Sequence, residues 1–260
     1  PPRIRLFSAK VLLLIGLALL LVVGASIFGI VGLSQQTQIH TLQATATAVV
    51  RTQATAQAFT QATATAIASH YPFSDRLVLD DPMYDNSHGN QWAEIPNDAG
   101  GSCRFTQGTY HVSQTQVGNF YYCLAQGRMF SNFTFEVKMS FIKGSDGGIV
   151  FRADPNTSRF YYLVIGQDGR YFFFAYDGSH FHALISGSIT HEISGFYTGP
   201  NQGNLIGVVA RGSTLDLYAN GQRYASVIDG TFSTGEIGVV ASAFSQPTEV
   251  AFSDAKVWSL

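Results

Sequence analysis

Hydrophobic and polar positions alternate without a break from residue 133 to 141. Phe133, Phe135, Val137, Met139 and Phe141 fall on one side of an extended chain, and Thr134, Glu136, Lys138 and Ser140 on the other. Side chains of a strand change faces at every residue, so this stretch reads as a half-buried strand. Gly144, Gly147 and Gly148 then supply a turn. Further strands are predicted over 149–153, over 160–165 up to Gln167-Asp168-Gly169, and over 171–176 up to Asp177-Gly178. Asp-Gly between apolar runs marks a hairpin. The same reading gives strands over 104–112 (broken near Gly108), 119–125, 204–210, 214–219, 223–228 after the Asn220-Gly221 turn, 236–242 and 250–257. Some ten to twelve strands without a convincing helix predict an all-β fold, a two-sheet antiparallel jelly-roll sandwich, over 71–260.

The first 70 residues follow different patterns. Residues 11–33 (VLLLIGLALLLVVGASIFGIVGL) carry no charge over 23 positions. As a helix they would run about 35 Å, enough for a hydrocarbon core of about 30 Å, whereas the apolar region of a signal peptide is usually about 7–15 residues. A transmembrane helix is therefore expected. Arg3, Arg5 and Lys10 in the flank 1–10 place the N-terminus in the cytoplasm and the remainder outside, by the excess of positive charge on the cytoplasmic side. Residues 34–70 are a low-complexity stalk rich in Ala, Thr and Gln, in which Gln-Ala-Thr-Ala recurs at Gln43, Gln53 and Gln61. Its period-2 alternation fits neither an amphipathic helix nor a coiled-coil seam. A stalk, helical where it continues the preceding helix, is the expectation, with oligomerisation and O-glycosylation as alternatives.

Charge and cysteine narrow the function. Charged residues make up 12% of the chain, against about 25% for a soluble domain, as a membrane segment and an uncharged linker would produce. All 17 acidic residues lie after residue 70, with only 11 of the 15 basic ones. A net-negative domain without basic clusters argues against nucleic acid. Cys103 and Cys123, the only cysteines, stand on the side expected to be outside, so a disulfide is expected. No cofactor is called for. Calcium is conceivable at the loop LDDPMYDNSHGN, which lacks an EF-hand pattern. His180 and His182 with Asp177 have weak metal spacing.

Several phrases carry a resemblance: Ser131 to Val137 (SNFTFEV), Gly147 to Arg152 (GGIVFR), Tyr161 to Ile165 (YYLVI), Leu217 to Gly221 (LYANG), Gly235 to Val239 (GEIGV) and Val250 to Val257 (VAFSDAKV). In this order they resemble the concanavalin A-like lectin/glucanase superfamily, near the laminin-G-like jelly rolls and the 3-keto-disaccharide hydrolase-type domains. The resemblance covers roughly 75–260. It implies two packed antiparallel sheets, one of them concave and often holding a carbohydrate. With the anchor and stalk, the layout also resembles the outer half of some bacterial membrane Ser/Thr kinases.

Retaining glucanases of that superfamily carry Glu-x-Asp-x-x-Glu or Glu-x-Asp-x-Glu on one strand, which sets two carboxylates on one face. Here Glu136 stands alone, and Asp146, Asp154, Asp168 and Asp177 read as turn residues. The expectation is a non-catalytic extracytoplasmic module for a carbohydrate or another cell-envelope ligand. A glycoside hydrolase with acids brought together in space, or a structural surface or filament subunit, are the alternatives. Aromatic faces hold sugars, and tyrosine suits an open face because its hydroxyl needs a partner. The resemblance points to Arg152 and Tyr162. The residue pattern adds Tyr171 and Tyr176, with Asp154 and His182 at the rim.

Overall fold

The computed structural model describes residues 18–26, 45–61, 70–74 and 76–260. The chain divides into two units, Pro1–Thr65 and Ala66–Leu260, each described by itself. In the first, 18–26 and 45–61 are helical. The expected span 11–33 lies outside the described residues except for 18–26. Among the described residues no helix is long and apolar enough to cross a membrane. In 45–61, Thr52, Thr55 and Thr60 donate their hydroxyls to the carbonyls of Ala48, Arg51 and Ala56. This local bonding lets threonine sit inside a helix.

The second unit is built from strands. They are β1 (Leu77–Asp81), β2 (Gln91–Trp92), β3 (Ile95–Asp98), β4 (Gly101–Thr106), β5 (Thr109–Gln114), β6 (Phe120–Gln126), β7 (Phe133–Lys143) and β8 (Asp146–Asp154). Then follow β9 (Arg159–Gly166), β10 (Arg170–Tyr176), β11 (Phe181–Ser188), β12 (Gly203–Arg211), β13 (Thr214–Ala219), β14 (Gln222–Ile228), β15 (Glu236–Ser242) and β16 (Thr248–Ser259). One short helix, Ile189–Glu192, joins β11 to the loop before β12. A nine-stranded sheet has the order β14-β13-β12-β7-β16-β5-β4-β3, with β1 also paired to β16. A seven-stranded sheet has the order β11-β10-β9-β8-β15-β6-β2. Every pairing between named strands is antiparallel.

The sheets close on each other as the alternation requires. Phe133, Phe135, Val137, Met139 and Phe141 of β7 are all buried in one cluster with Ile149, Phe151, Tyr161, Leu163, Ile165 and Phe173 from the other sheet. Phe133 meets Phe151 edge-on, 6.2 Å between ring centres. The disulfide Cys103–Cys123, with Cα atoms 6.1 Å apart, ties β4 of one sheet to β6 of the other. It is an inter-sheet staple, not a link between adjacent strands.

Just before β1 a short strap lies on the outer face of the nine-stranded sheet. Tyr71 stacks on Tyr218 at 4.5 Å and donates its hydroxyl to Glu136 Oε2 at 2.7 Å. Thr134 donates to the Pro72 carbonyl at 2.6 Å, and the Arg211 guanidinium lies 4.6 Å from the centre of the Phe73 ring. Gly207 makes room: a Cβ there would stand 2.6 Å from the Tyr71 hydroxyl. Burial pushes the Glu136 carboxyl above its ordinary value, and the Tyr71 hydroxyl pulls it back.

Candidate ligand site: an aromatic trough on the seven-stranded sheet

The outward face of the seven-stranded sheet is a second apolar layer. Leu124, Val150, Phe160, Tyr162, Val164 and Val240 form a buried cluster there, with Phe120, Tyr122, Phe174 and Tyr176 packed on it. The register explains the gathering: Tyr162 lies opposite Val150 on one side and Phe174 on the other, and Tyr176 lies between Phe160 and Phe181. Gly148 and Gly238 lie in the middle of this face. A Cβ on Gly148 would meet the Leu163 carbonyl oxygen at 2.0 Å, and one on Gly238 the Cys123 carbonyl oxygen at 2.6 Å. The close packing of the central strands thus depends on glycine at both places.

Three neighbouring depressions cross this face. The first, about 380 Å³, is lined by Ile95, Asp98, Phe120, Tyr122, Gln126 and others. The second, about 350 Å³, lies among Asn119, Phe120, Tyr162, Phe174, Phe181 and Phe244. The third, about 370 Å³, lies among Ser145, Asp146, Arg170, Phe172, Phe174 and Phe244. The rings that wall them are open to solvent: Phe172 is 37% exposed, Phe181 44% and Phe244 47%.

Polar groups stand at defined places in this apolar surround. The Tyr162 hydroxyl bonds the Ser242 hydroxyl at the floor. Ser242 lies directly opposite Asp146, whose carboxylate accepts the Ser145 hydroxyl. Burial pushes the Asp146 carboxyl above the ordinary carboxylate range, and Ser145 and Arg170 oppose it. Asp168 sits on the β9–β10 turn, with Arg170 Nε at 2.5 Å and the Arg170 N–H at 3.1 Å. Burial disfavours its charge, but Arg170 outweighs this and holds Asp168 below its ordinary value. A Cβ on Gly166 would stand 2.6 Å from Asp168 Oδ1 and 3.5 Å from Asp146 Oδ1, so those oxygens are at most 6.1 Å apart, the two distances added.

The structure scatters the expected site residues. Tyr176 stands on the trough face, half-buried; Tyr162 lies on the same side but is corrected from an open position to a buried one, packed under Phe120, Phe174 and Phe181 with its hydroxyl on Ser242. Arg152 does not line an open face, and the expected phase is corrected by a bulge. The register between β8 and its two neighbours slips beside it, its φ is +48°, and it is 1% exposed. Its guanidinium donates to the carbonyls of Ser131 (2.7 Å from Nη2) and Phe232 (2.9 Å from Nη1). Tyr171 is also corrected: it faces the inter-sheet core against Tyr224, with ring centres 4.8 Å apart.

Asp154 lies in the turn after β8, accepting the Asn156 N–H and the Thr157 hydroxyl. His182 lies opposite Ala175, on the face away from the trough, with its Nε2 2.9 Å from Asp177. That contact and the turn N–H groups pull the Asp177 carboxyl well below its ordinary value. In the loop considered for calcium, the Asp81 oxygens accept N–H groups from Met83, Asn90 and Trp92. Among the described residues no group of three or more His, Cys, Asp or Glu could hold a metal ion.

Sequence reasoning did not single out Phe120, Phe174, Phe181, Phe244, Ser242 and Asp146. Asp146, expected in a turn, is the first residue of β8 and is buried. Only the density of aromatics in 160–181 pointed toward this face.

Fold and site together define a two-sheet antiparallel β-sandwich with an aromatic trough on one sheet. Solved structures share this fold. A carbohydrate-binding module of Bacillus subtilis, CBM66, superposes with a TM-score of 0.53 at 16% identity, covering 65% of this chain and 96% of its own. A Bacillus subtilis protein of unknown function with a galectin-like fold gives 0.53 at 15%, covering 72% and 97%. A glycosidic hydrolase gives 0.50 at 12%, covering 69% and 94%. No protein-family model and no curated protein matches the chain.

Proposed function

We propose that this chain is a membrane-tethered extracytoplasmic module that binds carbohydrate in the trough of its seven-stranded sheet. The observation that carries the reading is the row of solvent-open rings, Phe172, Phe181 and Phe244, set beside the polar groups of Asp146 and Arg170 and above the buried Tyr162–Ser242 pair. Flat rings meet the C–H faces of sugars, and hydroxyl and carboxylate groups meet their hydroxyls. Proteins that share this fold include a carbohydrate-binding module and a glycosidic hydrolase, which supports a sugar over other small ligands. The tether rests on the uncharged run 11–33 and its basic flank, and the disulfide agrees with an oxidising compartment.

A glycan array of the purified protein tests the reading. Saturable binding by the parent protein, lost in Phe181→Ala and Phe244→Ala variants that still fold, supports it. Absence of binding to every glycan overturns it.

The proximity of Asp146 and Asp168 favours a second reading, hydrolysis of a glycosidic bond. Their environments push the two carboxyls in opposite directions, as an acid and its ionised partner need, and retaining glycosidases keep their pair about 5–5.5 Å apart. Binding leads because Arg170 occupies Asp168, and because the pair lies at one end of a trough whose rings continue away from it. Release of reducing ends from a bound glycan, abolished in Asp146→Asn, would establish hydrolysis instead.

A further inference from the structure

We infer that the ligand is an extended, uncharged oligosaccharide lying across β6, β15, β8, β9 and β10, and not a single sugar or an acidic glycan. This rests on the carbohydrate-binding reading above. Its first support is continuity. Phe120 walls both the first and the second depression, and Phe174 and Phe244 wall both the second and the third. A ring shared by two depressions meets ligand on both of its sides, as one continuous chain would supply.

Length is the second support. The five strands span four inter-strand spacings, about 19 Å at about 4.8 Å each. Each depression alone is near the lower end of the roughly 300–1,000 Å³ usual for small-molecule sites. One sugar ring therefore engages one of them and leaves the other two to water.

The third support is charge. Asp98 lines the first depression and Asp146 the third, and the second has no charged side chain. Among the residues lining the three, Arg170 is the one cation, and Asp168 already holds its Nε at 2.5 Å. A sugar carboxylate lying along this path would meet aromatic faces or another carboxylate, and a charge desolvated without a partner is strongly disfavoured. Sugar hydroxyls, in contrast, find acceptors at Asp98 and Asp146.

The test is calorimetric titration of the full chain with gluco-oligosaccharides of one to five units in β-1,3, β-1,4 and α-1,4 linkage, with the array hits at matched lengths, and with oligogalacturonides. Affinity for an uncharged series should rise at least tenfold from one unit to three and then level off. Tyr122→Ala and Phe172→Ala, at opposite ends of the trough, should each weaken the three-unit ligand about tenfold, the worth of one aromatic contact. At least one of the two variants should leave the single sugar unaffected. Equal affinity for one and three units, or tightest binding of an acidic glycan, overturns the inference and leaves carbohydrate binding standing. Failure of every glycan to bind removes both.

Discussion

Replacing Arg152 by leucine separates a scaffold role from a ligand contact. Leucine occupies the same β-bulge with the same backbone demand at φ +48°, so the comparison isolates the guanidinium. Its loss strips the charged donors from two acceptors, the carbonyls of Ser131 and Phe232. A hydrogen bond from a charged donor contributes about 1.5–3 kcal/mol, so the two carbonyls together amount to about 4 kcal/mol. For a domain of this size each kcal/mol moves Tm by about 2–4 °C, which gives a fall of about 8–16 °C. Lysine, with one ammonium where the guanidinium reaches two carbonyls, should recover part of the loss. The assay is thermal unfolding by circular dichroism, followed by glycan titration of each variant below its transition. A leucine variant that melts within about 2 °C of the parent would refute the reasoning, and lost glycan affinity at unchanged Tm would return Arg152 to the ligand.

Other perturbations test other parts of the molecule. Reduction of Cys103–Cys123, or a double serine variant, frees a link of 20 residues and should cost about 3 kcal/mol, lowering Tm by about 6–12 °C in a melt with and without dithiothreitol. Asp146 titrates above its ordinary 3.8 when folded. Its contribution to stability is therefore full below that value and lost as pH rises through the raised folded value. Melts of the parent and Asp146→Asn across mildly acidic pH should diverge in that window, and parallel profiles would contradict the burial assigned to Asp146. Gly148→Ala sets a methyl against the Leu163 carbonyl. It should destabilise by roughly 1–3 kcal/mol or more and weaken glycan binding by prising β8 from β9, both measured on one preparation.

The strand 133–141 was legible because its two faces meet different environments. Its five apolar residues enter the core, while Glu136 and Lys138 stay on the other side. The hairpins at Asp168-Gly169 and Asn220-Gly221 were legible because only a few residue types accept the backbone angles of a tight turn, and Gly169, Asn220 and Gly221 all have positive φ. The trough was not legible in the same way. Tyr171 to Tyr176 (YFFFAY) is apolar on both faces, since one face packs between the sheets and the other forms the second layer, so alternation alone does not say which ring goes where. Arg152 was misplaced because a bulge breaks the parity that assigned its face, and its acceptors Ser131 and Phe232 lie 21 and 80 residues away. Phe120 and Phe244 come to the trough from separate parts of the chain, and no local pattern joins them to 160–181. The short β1, β2 and β3 and the edge strand β11 were missed because loop-like residues and pairing with distant partners define them.

The strap at Tyr71 to Ser74 separates the two faces of the sandwich as experimental targets. It is fastened by a stacked tyrosine, two hydroxyl bonds and an arginine over Phe73, all on the back of the nine-stranded sheet, with the sandwich between it and the trough. Residues 71–74 therefore stand clear of the aromatic rings, and a substitution in the strap can be read for stability without touching the trough.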